Sequence, residues 1–447
     1  MSRAMKKTFA MGGVHPKDSK LARKSAIEDL PLPATVAISM AQHLGAPATP
    51  VVAVGDKVKV GQVIAEPSGF VSARVHSSVS GTVKAIEPRT DLAGNLIPHV
   101  VIDVEGDEWL PEIDRTPDFK GDLTLSAEQI LARIKDAGIV GLGGAAFPTH
   151  IKLSPPPGKT AEVLILNGTE CEPYITSDDR IMREHPDEIA MGAKIMMKAL
   201  GVGRCFIGIE ENKPEAIAAM RIATIRFGGL VVVPLKKKYP QGGEKQLIDA
   251  IIGRRVPSMG LPIDTGAVVQ NVGTSLAVYE AVQKNKPLID NIVTVTGKCL
   301  PAQKNFRVRV GVPYSYLLEA VGGAPAKASK FISGGPMMGK AIRNLEATTQ
   351  KATSSLLVLT EAETKRRAEG PCIRCGKCAD ACPMGLQPFL LNKLMRLNRT
   401  DEMEQEKIFD CIECGCCLYT CPANIPLLDY IRVGKADVMK IMRSRKK

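Results

Sequence analysis

At 447 residues the chain is long enough for about three domains with sizeable cores, and 45% apolar with 24% charged residues exclude wholesale disorder, collagen and coiled coil. Lysine and arginine exceed aspartate and glutamate by 12, which favours acidic partners, anionic surfaces or phosphate-bearing ligands, while 4% aromatics without basic interleaving exclude nucleic acid as an expected partner. No apolar run approaches the ~18–20 residues of a membrane-spanning helix, and Met1-Ser-Arg-Ala-Met-Lys-Lys leads into Gly12-Gly-Val-His-Pro16 instead of an apolar signal core, so neither a span nor a secretion signal is expected.

The first elements are short alternating strands around glycine turns, Val54-Gly-Asp-Lys-Val-Lys-Val-Gly-Gln-Val-Ile-Ala and Val79-Ser-Gly-Thr-Val-Lys-Ala-Ile. They resemble a biotinyl/lipoyl-type barrel-sandwich. The hairpin between them, Glu66-Pro-Ser-Gly-Phe-Val-Ser-Ala-Arg, holds no lysine for a prosthetic arm, so a structural or docking module is expected. His76 is one of six histidines without a metal-ligand spacing and reads as a core or surface residue. Next, Ser126-Ala-Glu-Gln129 opens a capped helix over Ile130, Leu131 and Ile134 that Gly138 stops. It runs into Gly141-Leu-Gly143-Gly144-Ala-Ala-Phe147-Pro-Thr-His-Ile-Lys152. Because this loop follows a helix and lacks Lys-Ser/Thr, it is neither a dinucleotide fingerprint nor a P-loop. Its amides suit a phosphate with Lys152 as countercharge, and suit a tight structural turn as well.

Three strand-like runs, 163–167, 205–209 and 230–233, alternate with helical runs near 187–200 and 214–227, the pattern of a parallel sheet covered by helices. Ligands of such sheets sit beyond the carboxyl ends of the strands. At the first of those ends stands Asn167-Gly-Thr-Glu170-Cys-Glu172-Pro, followed by Asp178-Asp-Arg, acids that accept hydrogen bonds from a ribose or carboxamide or else form a solvated loop. From 291 to 338 the pattern gives strands, a helix and another strand, ending in Phe-Ile-Ser-Gly-Gly-Pro-Met-Met-Gly, with no titratable constellation. The charged stretch 361–370 reads as a linker or helix.

Of twelve cysteines, eight form two copies of C-x2-C-x2-C-x3-C-P, Cys372, Cys375, Cys378, Cys382 and Cys411, Cys414, Cys417, Cys421. That spacing wraps three thiolates around one 4Fe-4S cubane and sends the fourth to the other cluster. Crossed ligation is therefore predicted: Cys372, Cys375, Cys378 and Cys421 on one cluster, Cys411, Cys414, Cys417 and Cys382 on the other. The alternatives are paired zinc sites or disulfides; zinc does not require the repeated x3-Cys-Pro ending. Cys416 reads as a packing residue. Pro388-Phe-Leu-Leu-Asn-Lys-Leu-Met-Arg-Leu has helical spacing and separates the windows. The end, from Ile425 to Arg-Ser-Arg-Lys-Lys, reads as a last helix with a solvated basic tail, or as a lipid-headgroup contact.

The glycine loop and the Asn-Gly-Thr-Glu-Cys-Glu-Pro loop resemble the FMN and NADH loops of the NADH-oxidising flavoprotein subunit of respiratory complex I. With the Gly-Gly-Val-His-Pro start and the doubled cysteine motif, essentially the whole chain resembles the RnfC family of Rnf-type ion-translocating ferredoxin:NAD oxidoreductases. The resemblance implies FMN contacts from Gly141, Gly143, Gly144, Lys152, Asn167 and Asn271. It implies a nicotinamide side lined by Phe147, Glu172, Tyr239 and Glu244, with Glu170 between. Relative to the complex I pattern, Leu142 replaces an arginine, Thr169 an aspartate, and Gly243 the first glutamate of a Gly-Glu-Glu run.

The expected architecture is multidomain α/β. It comprises a β barrel-sandwich (1–120), a Rossmann-like α/β flavoprotein domain (121–286), a β-grasp domain resembling the SLBB module of complex I relatives (287–350) and an α-helical two-cluster ferredoxin domain (362–447). The implied role is a peripheral NADH-dependent oxidoreductase subunit on the cytoplasmic face of a bacterial membrane complex. Hydride would pass between NAD(H) and FMN, and single electrons through two 4Fe-4S clusters. Partners would be the other subunits, including a ferredoxin-like iron-sulfur subunit, and those subunits would carry Na⁺ or H⁺. The rivals are a soluble cobalamin reductase, which begins near the glycine loop, an iron-sulfur scaffold with a decayed flavin site, and the quinone reductase subunit of the related Na⁺ pump, which lacks the clusters.

Overall fold

A computed structural model describes residues 7–445. The start 1–6, and the last two lysines of the basic tail, Lys446 and Lys447, lie outside the described residues. In the barrel-sandwich module the alternating runs form two antiparallel sheets. One orders Thr35–Ser39, Leu96–Val104, Gly81–Thr90 and Lys57–Val58, and the other Thr49–Pro50, Val63–Glu66 and Val75–His76. The hairpin after Val63–Glu66 carries Phe70 at its tip, 86% exposed.

That module does not close its core alone. Ile38, Ile64, Val83 and Ile102 pack in one cluster with Val293, Val295, Phe306, Leu356 and Val358 of the SLBB module. The SLBB sheet has six strands in the order Ile27–Asp29, Lys304–Arg309, Asp290–Thr296, Ser355–Thr360, Ala328–Ser333 and Lys340–Ile342. An early edge strand therefore joins it, and its fourth strand in sheet order, Ser355–Thr360, lies wholly beyond the expected boundary at residue 350.

The capped helix forms as the sequence indicates: Ala127–Asp136 begins with Ser126 and Gln129 in a reciprocal capping box. Beyond it lies a parallel sheet ordered Leu230–Leu235, Cys205–Glu210, Val163–Gly168 and Ala267–Asn271. Period-two alternation sends Leu164 and Leu166 to one core, with Ile130, Ile189 and Val278 of the covering helices. Val163 and Ile165 go to the other, under Leu247 and Ile251 of the helix Glu244–Ile252. Both faces are covered, as a parallel sheet requires. The fourth strand escaped sequence reading because Ala267-Val-Val-Gln-Asn is short and leads directly into the helix Val272–Lys284.

The cysteine module is helical. Lys377–Asp380, Pro388–Arg396, Thr400–Gln405, Cys416–Thr420 and Leu427–Arg445 surround a small core built on Leu391, Leu394, Ile408 and Ile431. Residues 7–20 form a strap that ties it to the parallel sheet. Lys7 bridges to Leu235 and Val14 to Tyr239, and the Gly13 N–H donates to the Ala381 carbonyl at 2.9 Å.

Candidate functional site

Strand order reverses around Val163–Gly168, which has neighbours on both sides, so a crevice opens beyond the carboxyl ends of this strand and Ala267–Asn271. Asn167 and Asn271 face each other there in register. Asn271 caps the helix Val272–Lys284, its Oδ1 accepting the Gly273 N–H at 2.7 Å. Its Nδ2 donates to Asp178 at 2.8 Å and to the Asn167 carbonyl at 3.3 Å. Asn167 in turn donates to the Gly242 carbonyl at 2.9 Å and accepts from the Thr169 hydroxyl at 2.6 Å.

The glycine loop arches over this pair. The Gly141 N–H donates to the Phe147 carbonyl at 2.9 Å, which closes the loop, and the Leu142 N–H donates to Thr274 Oγ1 at 2.9 Å, which pins it to the same capped helix. Residues 143–145 form an exposed rim. A Cβ at Gly143 would stand 3.1 Å from the Asn271 Cβ, while Gly144, at φ +149°, faces open space. A backbone rim bearing no side chain larger than the Ala145 methyl, at the strand switch, fits a phosphate-bearing planar cofactor. Lys152, on the short helix after the loop, pairs with Glu244 at 2.5 Å, bringing together two residues implied on different sides of the site.

The acidic loop is more buried than a solvated loop would be. The Glu170 side chain is 3% exposed and accepts the Asp178 N–H at 2.7 Å. Burial pushes Glu170 up; burial and Glu170 together push Asp178 up to about 7. Two lysines absent from the sequence reading hold this loop by its carbonyls. Lys20 donates to Glu170, Glu172 and Ile175, and the buried Lys213 donates to Thr169 at 2.6 Å. A lone lysine carries no motif, so only the fold reveals them. Glu172 points away from the glycine loop's partners to the SLBB module, accepting the N–H groups of Met337 at 3.1 Å and Met338 at 2.8 Å.

The two cysteine windows follow the same backbone path. Arg374 and Glu413 occupy matching left-handed positions at φ +54° and +57°, and Gly376 and Gly415 follow at +75° and +78°. Cys382, Cys411, Cys414 and Cys417, with Cys416 beside them, line one small cavity walled by Leu386, Leu391, Leu428 and Ile431. Cys382 therefore sits with the second window. In the other set Cys378 faces Cys421, with Cys372 and Cys375 exposed. Among the described residues no three His, Cys, Asp or Glu side chains gather tightly enough for a single ion; the quartet stands around a space. Burial, with Cys414 and Cys382 nearby, pushes the Cys411 thiol up to about 11, a penalty on the thiolate that a cationic cluster core, when bound, would offset.

Tyr239 joins the two halves. It is 2% exposed, beside Glu172, and its hydroxyl donates to the Cys414 carbonyl at 2.9 Å. Cys416, read from the sequence as a packing residue, is fully buried against the Tyr239 carbonyl and also borders the quartet's cavity. The ring is thus covered by the cysteine module instead of lining an open surface.

A glycine-rimmed parallel sheet coupled to twin cubane-binding loops defines a flavin and iron-sulfur electron-transfer protein. The chain matches the RnfC Barrel sandwich hybrid domain over residues 7–107, the Nuo51 FMN-binding domain over 134–280, the SLBB domain over 292–341 and the 4Fe-4S dicluster domain over 371–425. It is 47% identical over 438 residues to the RnfC-type component of the proton-translocating ferredoxin:NAD(+) oxidoreductase complex of Clostridium ljungdahlii, covering 97% of this chain and 94% of that one. It is 44% identical to the corresponding component of the Na(+)-translocating ferredoxin:NAD(+) oxidoreductase complex of Acetobacterium woodii, covering 96% of each. The corresponding component of the ion-translocating oxidoreductase complex of Rhodobacter capsulatus is 41% identical, with 97% and 84% covered. The chain belongs to the RnfC family, a family of subunits of ion-translocating ferredoxin:NAD(+) oxidoreductase complexes.

Proposed function

We propose that this chain is the peripheral subunit through which such a complex exchanges electrons with NAD(H), at the cytoplasmic face of the bacterial cell membrane. FMN, when bound, exchanges hydride with NAD(H) and single electrons with the clusters, which reconciles a two-electron donor with one-electron carriers. The chain supplies position and electrostatics. Gly141 sets the turn, the rim of Gly143 and Gly144 with Lys152 receives the phosphate end, and Asn167 and Asn271 present amide groups to the ring edge. Phe147 and Glu244 border the nicotinamide side, the covered Glu172 and Tyr239 stand behind it against the neighbouring modules, and Glu170 shapes the loop between them. No side chain needs to act as nucleophile or general acid.

The observation that carries this reading is the bond from Tyr239 to the carbonyl of Cys414. It supports a path in which the buried quartet lies beside the nucleotide loops, while the set with exposed Cys372 and Cys375 faces a partner, which we take to be a ferredoxin-like iron-sulfur subunit. Among the described residues no helix is long and apolar enough to cross a membrane, and ion passage is assigned to the other subunits. Anaerobic reconstitution with iron, sulfide and FMN, followed by NADH titration under optical and EPR observation, tests the reading. About eight iron and one flavin per chain with NADH-dependent bleaching are expected. Full iron without flavin or any NADH response would reduce the chain to a one-electron relay.

A further inference from the structure

Lys351 lies in the chain between Lys340–Ile342 and Ser355–Thr360 and is 1% exposed. Its ammonium donates to the Arg74 carbonyl of the barrel-sandwich module and to the Gly138 carbonyl of the flavoprotein module, each at 2.7 Å. Its backbone N–H donates to Gln42 Oε1 at 2.9 Å, and its carbonyl accepts from Asn291 at 3.0 Å. One residue thus joins three modules. The titratable and charged groups facing it are Arg74, His76 and His43. Arg74 is already paired with Glu66 and Asp136. Burial, with the Lys351 and Arg74 charges, pushes His76 down to about 3, and burial likewise lowers His43. Burial pushes Lys351 itself down to about 7. A buried ammonium satisfied only by carbonyls is an expensive way to fill space.

What it holds explains its retention. Gly138, at φ +61°, ends the capped helix three residues before the glycine loop; a Cβ there would lie 2.4 Å from the Arg74 carbonyl oxygen and 2.8 Å from Lys351 Nζ. The far end of the loop is held by the same barrel-sandwich module, whose Leu44 N–H donates to the Ala146 carbonyl at 3.2 Å.

We infer that the barrel-sandwich module is the frame that positions the flavin loop, and that Lys351 is the positioning residue that fixes the loop's entry through the Gly138 carbonyl. This rests on reading 141–147 as the FMN loop. The test uses the full chain, with FMN affinity from flavin fluorescence and amide hydrogen exchange read together. In Lys351→Met, FMN binds about tenfold more weakly and amides of 139–146 exchange faster, while those of Cys205–Glu210 do not change. Lys351→Gln keeps a donor and recovers part of the affinity. Wild-type affinity falls between pH 6 and 9 as the ammonium loses its charge, a component missing from the Met variant; His76 stays neutral and Arg74 charged throughout, and any His43 component is common to both chains. Unchanged affinity and exchange in Lys351→Met, or protection lost evenly across the sheet, would overturn the inference. Should that variant not fold, the pH dependence of exchange at 139–146 in the wild type decides. A wild type that binds no FMN would overturn the flavin reading instead, and exchange at 139–146 still reports whether Lys351 fixes the loop.

Discussion

Tyr239 and Cys414 belong to different modules, yet the tyrosine hydroxyl donates to the cysteine carbonyl across 2.9 Å in the protein interior. The tyrosine backbone is engaged as well, exchanging N–H and carbonyl bonds with Val14 of the strap at 2.8 Å each. The Tyr239 loop, the strap and the thiol quartet are thereby locked into one unit.

Tyr239→Phe keeps the ring and leaves the Cys414 carbonyl without this donor. A buried hydrogen bond of this kind contributes about 1 kcal/mol. The expected result is faster amide exchange at 411–417 and slower cluster bleaching after rapid mixing with NADH. Unchanged exchange there would show that the bond does not hold the modules together.

The strap explains why two glycines stand at its centre. A Cβ at Gly12, φ +63°, would lie 2.5 Å from both the carbonyl carbon and oxygen of Cys382, so backbone meets backbone where only glycine fits. Gly12→Ala is expected to displace Cys382 and lower iron after reconstitution from about eight to about four per chain. Gly94→Ala is the control: its φ of +90° brings the same strain, with nothing within 4 Å. Loss of iron in both, or in neither, would refute the contact argument.

The periodic and spaced features were legible in the sequence: the Ser126 capping box, three of four parallel strands, and the repeated backbone path of the two cysteine windows. Features resting on single residues were not. Lys20, Lys213 and Lys351 act through backbone carbonyls distant in sequence, and such bonds leave no pattern in spacing. Tyr239 was named for the site by the resemblance alone, and its burial under the cysteine module depends on how separate modules dock. The core shared between barrel-sandwich and SLBB modules was invisible for the same reason, since each reads alone as an alternating sheet.

Unequal exposure of the two cysteine sets makes them separable. Cys372 and Cys375 are exposed, whereas Cys382, Cys414 and Cys417 are buried. An iron chelator under air should therefore release iron in two phases of similar amplitude. On the crossed ligation we propose, Cys421→Ser removes the fast phase although it lies in the second window, and Cys382→Ser removes the slow one although it lies in the first. The opposite assignment would mean that each window holds its own cluster.

Glu172 gives the site a pH dependence with a definite sign. Its carboxyl is buried, and burial raises it from 4.5 to about 7 despite the N–H donors of Met337 and Met338. Between those values the folded chain keeps a proton that the unfolded chain has released, so stability falls as pH rises through the window. The deficit is complete above about pH 7 and on the order of 3 kcal/mol. Glu172→Gln has no such proton to lose. Denaturation midpoints of the two chains should thus diverge from pH 4.5 to pH 8 in favour of the variant, with Asp178 and Lys351 titrating alike in both and cancelling. A gap independent of pH would mean that the carboxyl titrates in place as it does in the unfolded chain, and that the loop at Met337 and Met338 leaves it open to water.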